Sequence, residues 1–104
     1  MDAPPTVYPP LRVEAAATER NELVIRVSGE LDLLTHGTLR SALDSLPTDG
    51  AGVVRVQLGQ LRFCDSRGLC MLMNFVKAAR REGHDVVIEG ASPIVRKLMP
   101  MFAA

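Results

Sequence analysis

The chain has 104 residues, a length that suits one domain with a single core. Twelve Lys and Arg balance twelve Asp and Glu, so net charge gives no attraction to DNA, RNA or an anionic membrane surface. Aliphatic residues are abundant, aromatics few and Trp absent, the composition of a small α/β domain.

Residues 1–10, MDAPPTVYPP, include four prolines and no periodic pattern, which predicts an extended or disordered N-terminal arm. Leu11–Ala17 and Glu22–Ser28 follow as two strands joined by a turn at Glu19, Arg20 and Asn21. In the second, Leu23, Ile25 and Val27 alternate with Glu22, Val24 and Arg26, the period of a half-buried strand. Gly29 is expected to break it. Glu30, Leu31 and Asp32 then lead to a helix from about Thr35 to Leu46, with Leu39, Ala42, Leu43 and Leu46 on one face and Pro47 as its stop. Asp32, taken alone, reads as a brace for the turn before that helix.

Val53–Leu58 is rich in β-branched residues and reads as the central strand, with Gly59 and Gln60 turning it towards Phe63. Leu69–Arg81 carries apolar residues at Leu69, Leu72, Met73, Val76 and Ala79, the spacing of an amphipathic helix. Asp65 and Ser66 therefore fall at a helix N-terminus. The first N–H groups of a helix have no intrahelical partner, and the aligned dipoles stabilise an anion there by about 0.3–1 kcal/mol. Either residue also serves as an ordinary cap, worth roughly 1 kcal/mol. Gly68, in the first turn, fits a close approach by a partner's backbone or a purely steric need inside the fold.

Cys70, Met71, Asn74 and Phe75 lie outside the core stripe, so the helix is apolar nearly all round over its first turns. This predicts a protein-binding surface at its start, with Met71 as an adaptable contact. Gly83 closes the helix, Asp85–Glu89 forms a short strand, and Ser92-Pro93 starts a last helix that Pro100 ends. Helices that follow successive strands imply parallel pairs in a mixed sheet, with the helices packed chiefly on one face.

Two stretches together resemble the STAS domain family of bacterial anti-sigma factor antagonists. LRFCDSRGL is similar to that family's strand, loop and Asp-Ser-Ser/Thr-Gly-Leu signature. VSGELDLLTHGTLRSAL is similar to its Gly-Glu-Leu-Asp turn leading into a helix. Both occur in the expected order, and the likeness covers roughly residues 11–102, so residues 11–104 are assigned to one STAS domain. Arg67 departs from the usual Ser or Thr, and Gln57 stands where many members have Asp.

The resemblance implies a module that sequesters an anti-sigma factor with serine kinase activity while Ser66 is unphosphorylated. Phosphorylation of Ser66 would release it, and a PP2C-type serine phosphatase would reset it. The implied partner-binding residues are Asp32, Asp65, Ser66, Arg67, Gly68, Cys70, Met71 and Asn74. A constitutive scaffold in a transporter or regulatory assembly is the alternative, and a homodimer through an apolar helix face also stays open.

Enzyme readings find little support. The chain lacks GxGxxG after its first strand, GxxxxGK[ST], and a GxSxG elbow around Ser66. His36 and His84 have no ligand-spaced partners and read as solvent-facing, so no catalytic residue, metal or cofactor is expected. Asp65 superficially resembles the phospho-acceptor of receiver domains, but the early acidic pair of those domains is missing. Spacing alone permits a Cys64–Cys70 disulfide. With no leader or long apolar span recognised, free thiols in a cytoplasmic protein are expected.

Overall fold

Alternation in the first two strands produces a hairpin. β1 (Leu11–Ala17) runs antiparallel to β2 (Glu22–Leu31), from Leu11 opposite Gly29 to Ala17 opposite Leu23. Asn21 supplies the left-handed turn conformation at φ 63°, which a short amide side chain tolerates. The computed structural model describes residues 11–102, and the expected arm lies outside the described residues.

The remaining elements are α1 (His36–Asp44), β3 (Val53–Cys64), α2 (Ser66–Arg81), β4 (Asp85–Glu89), α3 (Pro93–Leu98) and a 3-10 turn, Met99–Phe102. The sheet order is β1-β2-β3-β4, with β2, β3 and β4 mutually parallel. Leu23, Ile25 and Val27 of β2, Val54, Val56 and Leu58 of β3 and Val86 of β4 meet Leu39 of α1 and Leu72, Val76 and Ala79 of α2 in one core. Each Val, Leu or Ile side chain among them contributes about 1.5–3 kcal/mol on burial. A second cluster of Leu69, Met73 and Val95 joins α3 to α2.

The opposite sheet face is largely polar. Arg55 bonds Glu22 at 3.1 Å and Glu89 at 2.8 Å, and Gln57 bridges Arg26 and Glu89. Gln57 thus belongs to this open face. The helices pack on the other face, as the strand and helix order implies.

Two boundaries differ from the sequence reading. β2 passes through Gly29 to Leu31, and β3 passes through Gly59 to Cys64, because irregularities between Arg26 and Ser28 and between Gly29 and Glu30 keep the strands paired. Gly90 permits this extension at the β4 side: at φ 75°, a Cβ there would lie 2.8 Å from the Gly59 nitrogen. The longer strands carry Leu31 and Cys64 side by side to the C-terminal end of the sheet.

Met71 and Phe75 also differ from expectation. Both pack against the main core, so α2 is less apolar on its outer side than its composition suggests. Its far end closes as expected: Gly83, at φ 99°, donates its N–H to Arg80 O.

Candidate partner-binding site

Where β3 ends, Asp65 becomes the N-cap of α2. Its extended backbone, at φ −82° and ψ 172°, aims the carboxylate back at the helix, where Oδ1 accepts from Gly68 N at 2.7 Å. Asp65 N donates to Leu31 O at 3.0 Å, so the cap is tied to the end of β2 as well. Ser66 is then the first helical residue, and both it and Arg67 are exposed.

A second group holds the Asp65 carboxylate. His36 Nε2–H donates to Oδ1 at 2.9 Å and lies 3.0 Å from Oδ2, with the imidazole 14% and the carboxylate 30% exposed. Burial pushes the Asp65 pKa up, but the His36 and Gly68 hydrogen bonds and the charges of His36 and Arg67 outweigh it and hold the group below its ordinary value. His36 is therefore not the solvent-facing residue its isolated position in the sequence suggests. His84 is not either: only 9% of its side chain is exposed, and Nδ1 lies 2.6 Å from Ala51 O.

The β2–α1 loop that delivers His36 is built by Asp32 and Thr35. Asp32 Oδ1 accepts from Leu34 N at 3.0 Å. The buried Thr35 hydroxyl donates to Glu30 O at 2.8 Å and accepts from Asp32 N at 2.9 Å. Asp32 thus braces the turn. These bonds use the loop's polar groups internally and leave Leu33 and Leu34 turned outward, 78% and 90% exposed. Phe63, near the end of β3, is also exposed. Periodicity does not predict this apolar rim. Its signal was a pair of adjacent leucines in a turn, which cannot both face the core.

Gly68 is buried for a steric reason. A Cβ there would lie 2.4 Å from Leu31 Cγ and 3.0 Å from Asp65 Oδ1, so the side chain of β2, not a partner, occupies that space. Cys70 and Met71 are half-buried; Asn74 is exposed and its amide lies 3.7 Å from Cys70 Sγ. Cys64 and Cys70 are free thiols, and burial, with the nearby Asp65 charge, pushes the Cys64 thiol up to about 11. Among the described residues, no three His, Cys, Asp or Glu side chains converge to hold a metal ion, and no helix is long and apolar enough to cross a membrane.

A capping Asp, an exposed Ser at the first helical position and a neighbouring loop from the preceding strand stand together at one end of the sheet. A family profile described as Mlab, STAS domain matches residues 14–104. The chain belongs to the STAS domain family. This STAS domain is 30% identical over 74 residues to an anti-sigma-B factor antagonist of Staphylococcus aureus, covering 71% of this chain and 68% of that one. Its fold is similar to the unphosphorylated form of the anti-sigma factor antagonist SpoIIAA, with TM-score 0.68, 22% identity and coverage of 86% of this chain and 83% of that one. The phosphorylated form of Bacillus SpoIIAA matches with TM-score 0.67, at 22% identity and 86% and 82% coverage.

Proposed function

We propose that this STAS domain is an anti-sigma factor antagonist, a binding protein rather than an enzyme, whose partner is an anti-sigma factor with serine kinase activity. The observation that carries the reading is the exposed Ser66 at the start of α2, joined through Asp65 and His36 to the loop bearing exposed Leu33 and Leu34. The apolar rim supplies contact area, and Ser66 supplies control. Asp32, Asp65, Arg67, Cys70, Met71 and Asn74 complete the proposed binding surface, while Gly68 contributes by letting α2 approach β2.

Phosphorylation adds about −1.5 to −2 charges and strong acceptor oxygens. In a closed interface beside the Asp65 carboxylate, that charge is repelled and costly to desolvate, so the complex dissociates. A PP2C-type phosphatase restores binding. Such a switch is made by local charge and needs no large change of fold.

One observation favours a constitutive scaffold as second reading. Arg67 is exposed beside Ser66 and already lowers the Asp65 pKa, so it would offset part of a phosphoserine's charge. The test is mass spectrometry of the protein from its native cells across growth conditions, with binding of the co-purifying partner to wild type and Ser66→Asp. Phosphate on Ser66 in some conditions, with binding lost in Ser66→Asp, supports the switch. A partner retained equally by both, with Ser66 never phosphorylated, establishes the scaffold instead. Phosphate trapped on Asp65 would indicate a receiver-like chemistry.

A further inference from the structure

The outer edge of the sheet is an unpaired strand of unusual regularity. β1 pairs with β2 through seven consecutive residues without a bulge and has no described strand on its other side. Edge strands are normally protected by brevity, charged side chains, prolines or bulges. β1 has no Lys, Pro or bulge, its charges are the two opposite ones of Arg12 and Glu14, and Ala15, Ala16 and Ala17 are small and exposed.

The direction of its free hydrogen-bonding groups follows from the hairpin. Thr18 N donates to Glu22 O at 2.8 Å, so the backbones of Thr18, Ala16, Glu14 and Arg12 face β2. Those of Leu11, Val13, Ala15 and Ala17 face outward. Leu11 is buried and Val13 packs against the core on the helix side, which puts Arg12 and Glu14 on the open face.

We infer that β1 pairs antiparallel with β1 of a second copy of this chain, centred on Val13 opposite Val13, to form one continuous sheet across a two-fold axis. Charge selects both the occupant and the register. With outward-facing residues paired, this register sets Arg12 of each copy opposite Glu14 of the other, on the same face. Shifting it one step either way sets Arg12 opposite Arg12 or Glu14 opposite Glu14, which opposes pairing. Glu14 also stands opposite Arg26 within its own chain, so each Glu14 lies between two arginines in the dimer. On the helix side, Val13 meets Val13, and Leu11 meets Ala15.

The test is sedimentation equilibrium of the full chain and its variants, with thermal unfolding as a folding control. Wild type is expected to dimerise. Arg12→Glu and Glu14→Arg, each converting two opposite-charge pairs to like-charge pairs, are expected to weaken the dimer on the order of tenfold. The double variant Arg12→Glu/Glu14→Arg restores the pairs between copies with exchanged signs but sets position 14 against Arg26, so it should recover the dimer in part, whereas loss through misfolding would persist. Val13→Pro removes an outward N–H, spares the β1–β2 ladder and gives up the valine's core contact, so it should give a monomer that is folded but less stable than wild type. A wild-type monomer at several hundred micromolar, a dimer indifferent to all four variants, or β1 covered only when a different protein is added would each overturn the inference.

Discussion

His36, the first residue of α1, and Asp65, the cap of α2, are joined by a hydrogen bond of 2.9 Å that ties together the N-termini of two helices which are 29 residues apart. The bond fixes the loop carrying Leu33 and Leu34 relative to Ser66. A charge-assisted hydrogen bond is worth about 1.5–3 kcal/mol, and the partial exposure of the carboxylate places this one at or below the lower end. His36→Ala should therefore destabilise the domain by about 1 kcal/mol, lowering Tm by roughly 4–8 °C. His36→Gln, which can still donate to the carboxylate, should recover part of that loss in thermal unfolding.

The same relationship gives a pH dependence. The Asp65 pKa is lower folded than unfolded, so its contribution is present above the ordinary carboxylate value and lost as pH falls through the folded one. Asp65→Asn keeps a capping side chain but removes the charge. In urea unfolding, the stability difference between wild type and Asp65→Asn should shrink as pH falls below about 4. A difference that grows towards acid would assign the opposite sign to the shift.

Gly68 tests the close contact between α2 and β2. Gly68→Ala would normally strengthen a helix, but here its Cβ would overlap the Leu31 side chain at 2.4 Å. Overpacking should destabilise the variant by about 1–3 kcal/mol. Leu31→Ala removes the colliding atoms at the cost of a cavity. In a double-mutant cycle, Leu31→Ala/Gly68→Ala should therefore be less destabilised than the sum of the two single changes.

Periodicity made the strands and α2 legible in the sequence because their buried residues recur every second or every third to fourth position. The Asp-Ser pair likewise marked the start of α2. It could not reveal the ends of β2 and β3, since continuation through Gly29 and Gly59 depends on bulged pairing with a neighbour distant in sequence. His36 was missed for a related reason: its carboxylate partner is brought to it only by the parallel alignment of β2 and β3. Spacing alone places Gly68 in the first turn of α2, but its steric purpose depends on Leu31, which only the folded chain brings against it.

Cys64 offers a chemical check on the packing at the end of β3. With its thiol pushed up to about 11 by burial and the Asp65 charge, only roughly a thousandth of it is thiolate at pH 8. Cys64 should stay unmodified by iodoacetamide over times that fully label a small thiol of ordinary acidity, as read by peptide mass spectrometry. Denaturation in urea should abolish the protection. Rapid labelling of the folded chain would mean that Cys64 is less shielded than its surroundings indicate.

The apolar rim should separate binding from stability. Leu33 and Leu34 touch little of the core, so Leu33→Asp/Leu34→Asp should alter unfolding free energy by no more than about 0.5 kcal/mol per site. If the proposed anti-sigma factor covers both, each leucine buries about 1.5–3 kcal/mol of apolar contact, and the double change should weaken binding by at least about a hundredfold. The measurement is titration calorimetry of the unphosphorylated chain with the partner purified alongside it. The loss should appear without any phosphate on Ser66, distinguishing contact area from the phosphorylation switch. Unchanged affinity would move the docking surface away from the β2–α1 loop, because two new carboxylates could not be accommodated silently in a closed apolar interface.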